Sequence, residues 1–160
     1  MSFNRINNTG LSQLSEFLTS NSTLEILDIS KNAFSDNGFI DFGRQLGHNK
    51  GLQNLNLSKN KDISDEVGLR QLAHSLIANS SLHEIDLNGL KIRKNCIESY
   101  FKPALKHNIT LKKIEGKIPH GIIEQDLHDN ELIEKEIQIS SRFRTVLKTH
   151  RRELSKLKIH

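Results

Sequence analysis

At 160 residues, with 35% hydrophobic and 5% aromatic content and no Trp, the chain suits one domain whose core is a thin apolar layer. A single cysteine, Cys96, excludes an internal disulfide and a cysteine zinc site and fits a reducing compartment, and no apolar signal core or membrane span is legible. The net charge of +4 is uneven: Ser141–His160 holds seven Lys/Arg against Glu153, a net of +6, which leaves −2 for everything before it. These features predict a soluble intracellular protein with a separate basic end segment.

The first predicted element is a helix near Leu11–Thr19. The residues before it, Asn4-Arg5-Ile6-Asn7-Asn8-Thr9-Gly10, align one for one with Asn32-Ala33-Phe34-Ser35-Asp36-Asn37-Gly38. The chain is thus expected to start inside a repeat, after its strand, with an open edge. Three readings follow: a piece of a longer array, an edge covered by a partner, or a frayed first turn. A strand over Leu24–Ile29 comes next, because apolar residues there alternate at period two. Ser30-Lys31-Asn32 turns the chain, and Ser35 or Asp36 is expected to accept the free N–H groups of a second helix. Phe39, Phe42 and Leu46 recur at helical spacing, and Asn49 is expected to close the helix in a left-handed conformation. The pattern then repeats: strand Leu52–Leu57, turn Asn60, helix start Ser64-Asp65-Glu66, apolar Leu69, Leu72 and Leu76, and closing Asn79. The second turn is two residues longer and should bulge on the surface.

The repetition is regular enough to write as columns. Leu24, Leu52, Leu82 and Leu111 open the strands at periods of 28, 30 and 29. Asn21, Asn49, Asn79 and Asn108 stand three residues earlier, and Leu18, Leu46, Leu76 and Leu105 six earlier. Ten earlier stand Leu14, Phe42, Leu72 and Phe101; fourteen earlier stand Gly10, Gly38, Gly68 and then Ile97. A fixed period of this size marks a solenoid, in which each unit buries its apolar face only against its neighbours. Strands joined by helices of this length must run parallel.

The pattern L-x-x-L-x-L-S-x-N…S-D-x-G-x-x-x-[LF]-x-x-x-L-x-x-N resembles the ribonuclease-inhibitor type of leucine-rich repeat from about Phe3 to Ile118. The resemblance implies an α/β fold: a short, curved leucine-rich-repeat solenoid, parallel strands concave and helices convex, with a C-terminal helical extension. It does not imply ribonuclease inhibition. In the last helical unit Ile97 replaces the glycine, Leu90 the turn asparagine, and Gly116 a strand leucine, so the array is expected to end near residue 118. The segment from Asn108 through Ile118 and Leu127 to Leu132 resembles the closing cap of such proteins, including the tropomodulin family. The expected organisation is an array of about three and a half repeats over residues 1–118, a cap over 119–140, and a basic amphipathic helix over 141–160.

Residues between the inward leucines should face the concave side. They form the rows Ile26, Asn54, Glu84, Lys113; Asp28, Asn56, Asp86, Glu115; and Ser30, Ser58, Asn88, Lys117. The middle row is either ordinary solvated surface or an acidic stripe for a basic partner segment, this chain's own basic helix included. In that helix Phe143, Leu147, His150, Leu154 and Leu157 step by 4, 3, 4 and 3. Arg142, Arg144, Lys148, Arg151 and Arg152 give it its charge. It either lies back on the array, extends from the cap as a solvated helix, or docks on a partner's groove or an acidic surface.

Catalytic signatures such as G-x-x-x-x-G-K-[ST], G-x-S-x-G and H-E-x-x-H are missing. His120, Asp126, His128 and Asp129 match no zinc spacing and read as surface. Lys91, Arg93 and Lys94 read as a solvated basic turn, and Cys96 as a packed thiol. The expectation is therefore a non-enzymatic protein–protein interaction module without cofactor or metal, bound neither to a small-molecule substrate nor to nucleic acid. Its expected setting is the cytoplasm, cytoskeletal or ciliary included, as an adaptor or structural subunit of a larger assembly. The alternatives are an actin or axonemal regulator, and a freestanding inhibitor or effector gripping an enzyme by the concave face.

Overall fold

A computed structural model of the chain describes residues 5–64 and 66–116. Helix α1 (Asn8–Ser20) leads to strand β1 (Ile26–Asp28), and α2 (Asp36–His48) to β2 (Asn54–Asn56). Helix α3 (Gly68–Ala78) precedes β3 (Glu84–Asp86). A fourth helical segment, α4 (Lys94–Cys96), a π turn (Ile97–Phe101) and α5 (Lys102–Leu105), precedes β4 (Lys113–Glu115). Among the described residues the strands form one parallel sheet in chain order, β1-β2-β3-β4. Helices cover one face only, each packed on the next. Helices need about 8–10 Å of spacing and strands about 4.8 Å, so the sheet is the inner, shorter face of the stack.

The strands are three residues long rather than the six expected over Leu24–Ile29 and Leu52–Leu57, although single hydrogen bonds run on past them: Ile29 N–H donates to Asn56 O and Leu57 N–H to Asp86 O. The core is the predicted column set: Leu18, Leu27, Ile29, Phe42, Leu46, Leu52, Leu55, Leu57, Leu72, Leu76 and Leu82 are buried, and Phe101, Leu105 and Leu111 close it. A further apolar column joins it: Phe34 and Ile63 are buried and Ile6 and Ile92 partly so, each just before a helix start. The longer second turn thus sends Ile63 into the core. After the strands, Lys31 (φ 55°), Lys59 (φ 63°) and Gly89 (φ 80°) take left-handed backbone, which turns the chain toward its helix.

The helix ends differ from expectation. Asn21, Asn49 and Asn79 are extended, with Asn49 at φ −64°, ψ 139°, not left-handed. The side chains of Asn49, Asn79 and Asn108 instead close the helix of the repeat before. The Asn49 amide donates to Leu18 O (2.9 Å) and Asn21 O (2.7 Å) of the preceding repeat, while its Oδ1 accepts from Gly51 N and Leu52 N. Asn79 and Asn108 repeat this pattern one and two steps on. Asn32 and Asn60 make a second ladder across the turns: Asn60 Oδ1 accepts Asn32 N–H at 2.8 Å and Asn32 Oδ1 accepts Ile6 N–H at 2.8 Å. Leu90 ends that ladder. Among the described residues, no buried side-chain nitrogen or oxygen lacks a partner.

Helix starts are also served from next door. Ser35 makes no capping bond to its own helix; its N–H donates to Asn8 Oδ1 (2.8 Å). Ser64 likewise donates through its N–H to Asp36 Oδ1 (2.8 Å), as does Gly68 N–H (3.0 Å). The carboxylate of one repeat therefore caps the helix of the following one.

Candidate protein-binding surface

The pairing register builds the inner face. Ile26, Asn54, Glu84 and Lys113 are direct Cα partners across β1–β4, and so are Asp28, Asn56, Asp86 and Glu115. Parallel strands in this register put each row at one step per strand, roughly 4.8 Å. Leu27, Leu55 and Ile85 point the other way, into the core. The two rows therefore face outward, with Ile26, Glu84, Lys113 and Glu115 exposed and Asp28, Asn54, Asn56 and Asp86 half-buried.

Four carboxylates, Asp28, Glu84, Asp86 and Glu115, share this face with one ammonium, Lys113. The side chains at the strand exits are partly engaged: Asp28 Oδ1 accepts Ser30 N–H, Asn56 Oδ1 accepts Ser58 N–H, and Asp86 Oδ1 accepts Asn88 N–H, at 2.9, 2.9 and 2.8 Å. Each is a local turn that fixes the side chain's direction, and the Asp28 carboxylate also takes side-chain hydrogen bonds from Ser30 and Asn56. Partial burial raises the Asp28 pKa, but the hydrogen bonds from Ser30 outweigh it and hold the carboxyl below its ordinary 3.8. Lys113 Nζ sits on Glu115; that hydrogen bond, with the fields of Glu115, Glu84 and Asp86, raises its pKa above 10.5. Over Leu55 and Ile85 lies a shallow hollow of about 140 Å³, edged by Asn54, Glu84, Lys113 and Glu115.

The third expected row does not form a surface in the first two repeats, because Ser30 and Ser58 are buried behind those turns. Asn88 stays exposed, its amide 3.4 Å from Glu115 Oε2. Ile26, at 69% exposed, is the apolar member of the face. The basic-helix residues Arg142, Arg144, Lys148, Arg151 and Arg152, the cap over 119–140 and the cluster His120, Asp126, His128 and Asp129 lie outside the described residues. Among the described residues no group of three or more His, Cys, Asp or Glu is placed to hold a metal, and no helix is long and apolar enough to cross a membrane. Reading by columns passed over a polar cleft between α3 and the fourth helical segment, whose residues sit at scattered, non-repeating positions.

Parallel strands on one face, helices on the other and side-chain amides stitching repeat to repeat define a leucine-rich-repeat fold. A family model described as a leucine-rich repeat matches residues 20–43. Among solved structures the chain is similar to Leiomodin-1 Actin-Binding Site 2, with a TM-score of 0.80 and 20% sequence identity, over 91% of this chain and 87% of that one. At this identity the likeness establishes the fold. No curated protein matches the sequence.

Proposed function

We propose that this chain is a non-enzymatic protein-binding module that seats a basic segment of a protein partner on its inner sheet face. The observation that carries the reading is the register: Asp28, Asn56, Asp86 and Glu115 fall in one row, with Glu84 beside it. Fixed carboxylates at strand spacing suit the ammonium and guanidinium groups of an extended peptide, and Ile26 offers it an apolar foothold. In this reading the module is an adaptor or structural subunit of a larger cytoplasmic assembly, and the basic segment 141–160 is a second contact. The test is titration with a labelled Lys/Arg-rich peptide at about 50 mM salt, where unscreened charge pairs speak loudest. The triple variant D28N/D86N/E115Q keeps the oxygens that accept the Ser30 and Asn88 N–H groups and is expected to lose binding with little change in the melting curve; equal affinity in both proteins would reject the face.

A second reading is a regulator of actin filaments. The observation favouring it is the likeness, along nearly the whole of both chains, to a structure named as an actin-binding site. Co-sedimentation with filamentous actin tests it. Retention in the supernatant at micromolar filament concentrations rules it out.

A further inference from the structure

The helix starts hand hydrogen bonds from one repeat to the next, and the series breaks at its third step. Ser35 N–H goes to Asn8 and Ser64 N–H to Asp36; the residue 29 positions further on is Arg93. Glycine follows in the first two cases because a Cβ on Gly38 would lie 2.9 Å from Asn8 Cα, and one on Gly68 2.5 Å from Asp36 Oδ1. The fourth segment carries Ile97 there, fully buried, and its chain passes into a π turn at that residue. A π turn inserts an extra residue into the helical ladder and often marks a functional position. Where glycine closes the earlier junctions, a cleft of about 420 Å³ opens here between the start of α3 and the fourth segment. Glu66 and Arg70 form one wall, and Arg93, Asn95, Ser99 and Tyr100 the other.

We propose that this cleft binds a glutamate or aspartate side chain from an acidic segment of a protein partner, with Arg70 and Arg93 as its cation pair. Arg70 lies with its guanidinium carbon 5.9 Å from the centre of the Tyr100 ring. At that distance the ring attracts the cation, and the planar guanidinium fork suits a carboxylate. Among the described residues no carboxylate lies within ion-pair distance of Arg70. Arg93 already shows the ligand chemistry: its Nη2 holds Glu66 Oε1 at 3.0 Å, and both side chains are mostly exposed. An exposed pair of that kind is held weakly, so an incoming carboxylate can replace Glu66. The Asn95 amide and Ser99 hydroxyl offer further donors along the wall. The site is separate from the inner sheet face and takes the opposite charge.

The test uses the full chain and a fluorescein-labelled peptide of alternating Glu and Ala with four glutamates, followed by anisotropy and by the Nε–Hε NMR signals of the arginines. R70Q is expected to weaken binding by about tenfold, the loss of a charge-assisted hydrogen bond. E66Q removes one internal competitor and should tighten binding by about two- to fivefold. The perturbed signals should be those of Arg70 and Arg93. Unchanged affinity in R70Q, no gain in E66Q, or shifts confined to Arg142–Arg152 would each overturn the proposal. R70K keeps the charge but loses the planar fork. It should bind between wild type and R70Q, and it serves as the reading should R70Q melt at lower temperature.

Discussion

Asn49, Asn79 and Asn108 show how much one side chain carries in a stack of this kind. Each amide joins the carbonyls of the helix before it to the N–H groups of its own strand entry, inside the protein. Truncating Asn79 strands three backbone partners at once, Leu46 O, Ser81 N and Leu82 N, while Asn49 O keeps the Ser81 hydroxyl. Unmet buried groups cost more than the bonds gained, so N79A should lose about 3–5 kcal/mol in urea denaturation. The same change at Asn21 should cost about 1 kcal/mol or less. Its amide reaches only Thr23 Oγ1, at 3.4 Å and exposed, and its Oδ1 partners can turn to water. The asparagine column itself was plain in the sequence. Its mode of action was not, since a left-handed cap and a side-chain bridge both ask for asparagine at that position.

At the scale of elements, the glycines divide by what their missing Cβ would meet. Gly68 lies at the start of α3, where a methyl group would strike Asp36 Oδ1 and Ile63 Cγ2, both at 2.5 Å. Asp36 is the cap of that helix, so relieving the clash undoes the cap. G68A should cost about 1–3 kcal/mol as an overpacked site. Gly47 lies near the end of α2, and its added Cβ would sit 3.5 Å from Ser75, an ordinary contact. There alanine gains helix propensity with no strain, and G47A should stabilise by about 0.5–1 kcal/mol. Opposite shifts in melting temperature for the two variants check both statements. The helices were legible from the period of Phe39, Phe42 and Leu46 and of Leu69, Leu72 and Leu76. Their caps were not, because Asn8 and Asp36 act on residues about 27 to 32 positions away.

For the whole molecule, a stack with only nearest-neighbour contacts has no large core to fall back on. Phe42 is fully buried on α2, the helix packed against both α1 and α3, and its ring lies tilted at 40° to that of Phe39 with centroids 5.6 Å apart. F42A should cost about 3–5 kcal/mol. Domains of this size have about 5–15 kcal/mol in hand, so the variant should lose its cooperative urea transition or move it to very low denaturant. Far-UV circular dichroism across the titration measures this. The same nearest-neighbour logic explains why the departures gather in the fourth unit. Arg93, Ile97, Leu90 and Gly116 each break a column, and the loss of glycine and serine there opens the cleft that Arg70 and Tyr100 line.

The amino-acid sequence by itself determined the period, the parallel order of the strands and the two exposed rows. Those follow from which positions are apolar, and a solenoid repeats that choice at fixed spacing. The rows Ile26–Lys113 and Asp28–Glu115 needed only the period and the alternation of side chains along a strand. Tertiary structure decided what depends on distance between repeats. It set that a carboxylate caps the neighbour's helix, that Ser30 and Ser58 sink behind their turns, and that Arg70 and Arg93 meet across one cleft. No local pattern encodes such meetings, because they arise from how closely two backbones approach, and that is settled only when the repeats are stacked.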